Sequence, residues 1–142
     1  MSRNARQITL SQVGEEGQAR IGSSTVLIIG LGGIGCASAS YLASAGVGQL
    51  LLCDFDTVDE TNLGRQILYG PADVGQLKAV RAASRLAAMN PDIRLTEIPD
   101  RLSDEALAED ELRYLLRIDT QHMTNDDAWL AFQEYFSKSG LP

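Results

Sequence analysis

Residues 28–35, IIGLGGIG, run from an apolar stretch straight into glycine, and the spacing Gly30-x-Gly32-x-x-Gly35 is one that chemistry can use. Gly30 suits a tight turn after a strand, Gly32 lets backbone approach a phosphate, and Gly35 lets a helix pack close to a sheet. An anion would meet the unpaired N–H groups and positive dipole end of that helix. Asp54 follows Gly35 by 19 residues, a spacing that fits a carboxylate accepting hydrogen bonds from a ribose hydroxyl. Spacing alone leaves nicotinamide cofactors, flavins and ATP open as owners of the phosphates. The next stretch narrows the choice, because DETNLGRQILYGPADVGQLKA supplies Asn62, Arg65 and Gln66 from one loop and Lys78 from the helix that follows. A triphosphate needs such donors: Arg and Lys neutralise its outer oxygens and stabilise the charge that develops on departing pyrophosphate.

These residues need a frame, and the patterning supplies one. Residues 11–22 read as a weak amphipathic helix, and STVLII at 24–29 as a buried parallel strand. The glycines follow, then a helix of small residues that Gly46 and Gly48 end. QLLLCDFD is a second strand ending in acids, and residues 57–71 form a polar loop up to Pro71. From Val74 the apolar positions Val74, Leu77, Val80, Ala83, Leu86 and Ala87 fall at helical spacing until Asn90-Pro91 stops them, and IRLTEI is a third strand. The alternation implies an α/β domain, with a Rossmann-like parallel sheet, right-handed crossovers and flanking helices. Beyond residue 100, SDEALAEDELRYLL reads as a helix, and YLLRID as its end or a fourth strand. Trp129, Phe132 and Phe136 share one helical face and read as core or subunit contact.

Bulk properties exclude other classes. A chain of 142 residues suits a single domain, 1–142. Segment 97–127 carries ten acids against three bases, the whole of the net −7, so no basic stripe exists to bind nucleic acid. No apolar run is long enough to cross a membrane and the first residues lack a signal-peptide core, so the cytoplasm is the expected compartment. Cys36 and Cys53 sit in no CxxC pair and read as small buried hydrophobes; with one histidine, His122, read as a surface residue, no metal ligands are assigned.

The stretches RQI, VGEEGQ, GLGGIGCASASYLASAGVG, DFDTV, NLGRQ, DVGQLK and NPDI, in this order, resemble the ThiF/MoeB/HesA adenylyltransferases, relatives of the ubiquitin-activating enzymes. Within that family the chain most resembles the molybdopterin-synthase branch. The likeness covers residues 5–93, about two-thirds of the chain, so 1–100 matches the family and 101–142 is a divergent tail. It implies a reaction in which ATP and magnesium adenylate the C-terminal glycine of a ubiquitin-like, Gly-Gly-tailed sulfur carrier. It assigns Gly30, Gly32, Gly33 and Gly35 to the nucleotide loop, Asp54 to the ribose, and Asn62, Arg65, Gln66 and Lys78 to the phosphates. Arg6 matches an arginine that such enzymes reach across a homodimer interface into the partner's ATP site.

The resemblance also has departures. The family's tyrosine near the first arginine is Asn4 here, and the proline before the lysine is Leu77. Where the family has Cys-Thr-Asp-Asn, with a magnesium-binding acid, one register sets Asp119 at the strand end and puts Gln121 on the catalytic acid and His122 on the asparagine; another leaves Asp119 or Asp126 to serve. The chain also ends where the family's other half-sheet begins, so the expected architecture is a truncated half of the ThiF-type fold. The alternative function is a non-catalytic nucleotide-binding or dimerisation module that pairs with a full-length relative. A third, NAD-dependent oxidoreduction, leaves Arg65 and Lys78 without a task.

Overall fold

The computed structural model describes residues 3–101 and, as backbone, the strand 116–119. Helices α1 (Ala5–Ile8) and α2 (Gly14–Ser23) precede β1 (Thr25–Ile29), α3 (Gly33–Ala45), β2 (Gln49–Cys53), α4 (Lys78–Met89), β3 (Arg94–Ile98) and β4 (Leu116–Asp119). All strands are parallel and lie in the order β3-β2-β1-β4. The Rossmann-like α/β expectation holds. Val26, Leu27, Ile28, Leu50 and Leu52 are buried, and burying each such side chain stabilises by about 1.5–3 kcal/mol.

Small residues let the helices sit close to this sheet. α3 buries Cys36, Ala39, Ser40 and Ala43, spaced i, i+3, i+4 and i+7, and both cysteines are buried as expected. α4 buries Ala79, Ala82, Ala83 and Leu86 at the same spacing. Asn90 Nδ2 donates to Ala43 O at 2.9 Å and ties the end of α4 to the end of α3.

Several boundaries differ from the expectation. The helix drawn from Val74 starts at Lys78, because Val74 and Leu77 are exposed and precede it; Val80 and Ala87 also face outward. Of the positions at helical spacing, Ala83 and Leu86 are buried as read, while Ala79 and Ala82 complete the buried face in place of Val80 and Ala87. The second strand stops at Cys53, ahead of the acids, and the third starts at Arg94. The polar loop contains short 3-10 turns at Glu60–Asn62 and Pro71–Asp73. α2 starts at Gly14 rather than residue 11, and α1 had no counterpart in the reading. Of the two options for YLLRID, its end forms a strand. The helix read over 103–116 lies outside the described residues except for Leu116, which opens β4; Gln121, His122, Asp126, Trp129, Phe132 and Phe136 also lie outside them.

Candidate functional site

Strand order locates the site before any side chain does. β2 and β3 follow on one side of β1 while β4 returns to the other, so the topological switch point lies between β1 and β4, where ligands of open α/β sheets bind beyond the strand C-termini. The glycine turn follows β1 at this point, and Asp119 pairs with Ile29 at the end of β4.

The turn is built by backbone geometry. Gly30 takes φ 87°, a region that favours glycine, and its N–H donates to Cys53 O at 2.8 Å. A Cβ on Gly35 would lie 1.9 Å from Gly30 O, so only glycine lets α3 start here. Gly32 and Gly33 meet no such obstacle: the nearest atom to a Cβ would be Gln66 Nε2 at 3.9 Å or Arg65 O at 3.6 Å. They form an open cradle against the first turn of α3, whose N–H groups lack intrahelical acceptors.

Leu31, fully buried, is gripped through its backbone. Its N–H donates to Asp54 Oδ2 at 2.6 Å. Its carbonyl accepts from Tyr69 OH at 3.0 Å and from Cys36 Sγ at 3.2 Å. Asp54 is 2% exposed, and Oδ1 accepts the Asp56 N–H at 2.8 Å. Its carboxylate therefore braces the glycine turn, and the carboxylate that reaches the surface is that of Asp56. Burial, more than any neighbour, pushes both the Tyr69 hydroxyl and the Cys36 thiol up from their ordinary values, so both stay protonated donors.

The connection between β2 and α4 brings the polar groups. Asn62 Oδ1 accepts the Asp59 N–H at 3.0 Å, and Asp59 caps the same 3-10 turn through the Thr61 N–H. The Asn62 carbonyl then accepts from the N–H groups of Arg65 and Gln66. Arg65 lies exposed beside Gly33, its Nη1 on Thr61 O at 2.9 Å. Gln66 is 3% exposed, and its Oε1 has no partner among the described residues. Lys78 opens α4 with a buried stem, and Nζ lies 3.4 Å from Asp56 Oδ2.

The structure thus gathers Gly30, Gly32, Gly33, Gly35, Asp54, Asn62, Arg65, Gln66 and Lys78 along one edge. Arg6 is apart from them. Asn4 lies against Gly46 and Arg3 donates to Met89 O at 2.7 Å, so α1 sits by the C-terminal ends of α3 and α4. α3, 13 residues long, separates the two by about 20 Å. Sequence reasoning missed Tyr69 and Asp56; the one signal was an aromatic placed at the end of a polar loop.

Fold and site define a Rossmann-like α/β domain with an open glycine turn at its switch point. The chain belongs to the ThiF family, whose model matches residues 4–120. It is 50% identical over 107 residues to the molybdopterin-synthase adenylyltransferase of Salmonella typhimurium, covering 75% of this chain and 43% of that protein. It is 40% identical over 136 residues to the sulfur carrier protein adenylyltransferase of Thermus thermophilus, covering 92% and 50%. Among solved structures, E. coli MccB with ATP superposes with a TM-score of 0.60 at 35% identity, covering 63% of this chain and 27% of that one. The chain therefore spans half or less of the length of each of these relatives.

Proposed function

We propose that the chain binds ATP at the glycine turn and takes part in adenylating the C-terminal glycine of a ubiquitin-like sulfur carrier. The observation that carries this reading is the gathering of Arg65, Gln66 and Lys78 around one open turn at the switch point. Gln66 supports the fit: its amide is buried, and Nε2, the nearest atom to the open side of Gly32, is a donor that can meet a phosphate oxygen. Gly30, Gly32, Gly33 and Gly35 shape the cradle, and Asp54 fixes it from below. The ribose role assigned to Asp54 would have to use lone pairs left over from its two backbone bonds. Asn62, Arg65, Gln66 and Lys78 face the phosphates. In the reaction the carrier carboxylate attacks the α-phosphorus, the bond to the bridging oxygen breaks, and pyrophosphate leaves with its charge met by Arg65 and Lys78.

Arg6, held at the far end of α3, serves this reading as a donor to the partner's site in a homodimer. Magnesium would arrive on the phosphates, since it takes few protein ligands; among the described residues no three carboxylate, thiol or imidazole groups form a cage for it. Among those residues no helix is long and apolar enough to cross a membrane, and we place the reaction in the cytoplasm. A second reading, a non-catalytic nucleotide-binding or dimerisation module, draws on Gln121, a neutral residue in the register that sets it on the family's magnesium acid.

Calorimetric titration with magnesium-ATP tests the site, with Lys78→Ala and NAD as comparators. Saturable ATP binding that weakens roughly ten- to hundredfold in Lys78→Ala is expected, the worth of a charge-assisted contact. NAD binding tighter than ATP binding would overturn the reading. Pyrophosphate exchange that depends on a Gly-Gly-tailed carrier separates the adenylyltransferase from the module.

A further inference from the structure

Tyr69 lies outside the residues that face the cradle, yet it is the side chain that holds the cradle's carbonyl side. Its ring is packed in the core at 6% exposure. Its hydroxyl reaches the Leu31 carbonyl at 3.0 Å, and the Lys78 carbonyl lies 3.5 Å away. The peptide joining Leu31 to Gly32 is trans, so its C=O and N–H point in opposite directions. A carbonyl drawn inward to Tyr69 therefore turns the Gly32 N–H outward, toward the space that a Cβ on Gly32 would find open. The opposite side of Leu31 is fixed by Asp54, so the two peptide planes around Leu31 are set independently, one by a carboxylate and one by a phenol.

We propose that Tyr69 is a positioning residue for anion binding: by holding the Leu31 carbonyl inward it aims the Gly32 N–H at a phosphate oxygen, and by touching the first residue of α4 it sets Lys78 in register with that donor. The proposal rests on the nucleotide reading above. Cys36 Sγ reaches the same carbonyl, but a thiol is a weak donor and cannot replace the phenol. Tyr69→Phe keeps the ring and removes the bond.

The test compares wild type, Tyr69→Phe and Tyr41→Phe, the last an exposed tyrosine on α3. Calorimetry with magnesium-ATP and with inorganic triphosphate is run beside thermal unfolding and glycine-labelled amide spectra. Tyr69→Phe is expected to stay folded and to weaken both ligands about five- to tenfold, the loss of one buried hydrogen bond, while Tyr41→Phe changes neither. In wild type the Gly32 amide should shift on triphosphate addition and the Gly46 amide, at the far end of α3, should not; in Tyr69→Phe the Gly32 shift should shrink. Unchanged affinity in a folded Tyr69→Phe would overturn the proposal. So would a wild-type Gly32 amide that ignores a ligand which binds, a result that stands even if the variant fails to fold. If wild type bound no ATP or triphosphate, the nucleotide reading itself would fall, and Tyr69 with it.

Discussion

The glycine turn after β1 and the long connection from Asp54 to Leu77 build the same site by opposite means. In the turn, side chains are absent where they would obstruct, and the shape follows from one φ of 87° at Gly30 and one close approach at Gly35. In the connection, side chains replace the pairing that secondary structure would give: Asp59 and Asn62 cap one 3-10 turn, and Asp73 closes the next. Arg81 of α4 reaches the second carboxylate oxygen of Asp73 and locks that turn to the helix. A motif of missing atoms is rigid and tolerates no addition. A chain of caps is a sum of separable bonds, each worth about 1 kcal/mol.

The largest effect expected from this contrast is Gly35→Ala. The added Cβ would meet the Gly30 carbonyl at 1.9 Å, backbone against which nothing can yield cheaply. Chemical denaturation should show a loss of about 3 kcal/mol or more, or no folded protein at all. Gly64→Ala, in the connection, finds nothing within 4 Å and should stay within about 0.5 kcal/mol of wild type. Similar costs at the two glycines would erase the distinction between the regions.

Asp73 gives a smaller and pH-dependent effect. The Gly70 N–H, and after it the Arg81 guanidinium, hold its carboxyl below the usual value of 3.8. A depressed folded value means that stability is present above the unfolded value and is lost as pH falls through the folded one. Asp73→Asn should therefore cost roughly 1 kcal/mol at neutral pH, and the gap to wild type should close below about pH 4. Denaturation midpoints measured from pH 7 to 3 check this; a gap that stays constant would show that the charge is not what closes the turn.

The same contrast explains what was legible. The strands, the glycine turn and the residues gathered around it could be read because β-branched runs, Gly30-x-Gly32-x-x-Gly35 and the loop donors are local signals. The bracing of Leu31 by Asp54 and Tyr69 could not be, since it depends on bonds between residues 23 and 38 positions apart. Asp54 was read by its spacing as a ligand group, and the two backbone bonds it accepts show that it is also a support. The start of α4 was misread because Val74 and Leu77 continue the apolar spacing while the chain around them pairs as a bridge between Thr57 and Leu77. Helical periodicity carries no signal for hydrogen bonds made to a loop twenty residues earlier.

That bridge sets the smallest and sharpest prediction. Leu77 has φ −61° and ψ 128°, and it precedes the first helical residue. The bonds flanking the bridge run from the Val58 N–H to Gln76 O and from the Lys78 N–H to Asp56 O, so Leu77 and Thr57 face each other as a pair that exchanges none. A proline fits such a φ, needs no N–H there, and leaves the intrahelical bonds of α4 intact. Leu77 is 38% exposed, so little packing is lost. Leu77→Pro should therefore stabilise by about 0.4–1 kcal/mol through the unfolded chain, seen as a rise of a few degrees in Tm. A fall in Tm would mean that the Leu77 side chain helps hold the connection, and that this region too is shaped by packing rather than by caps alone.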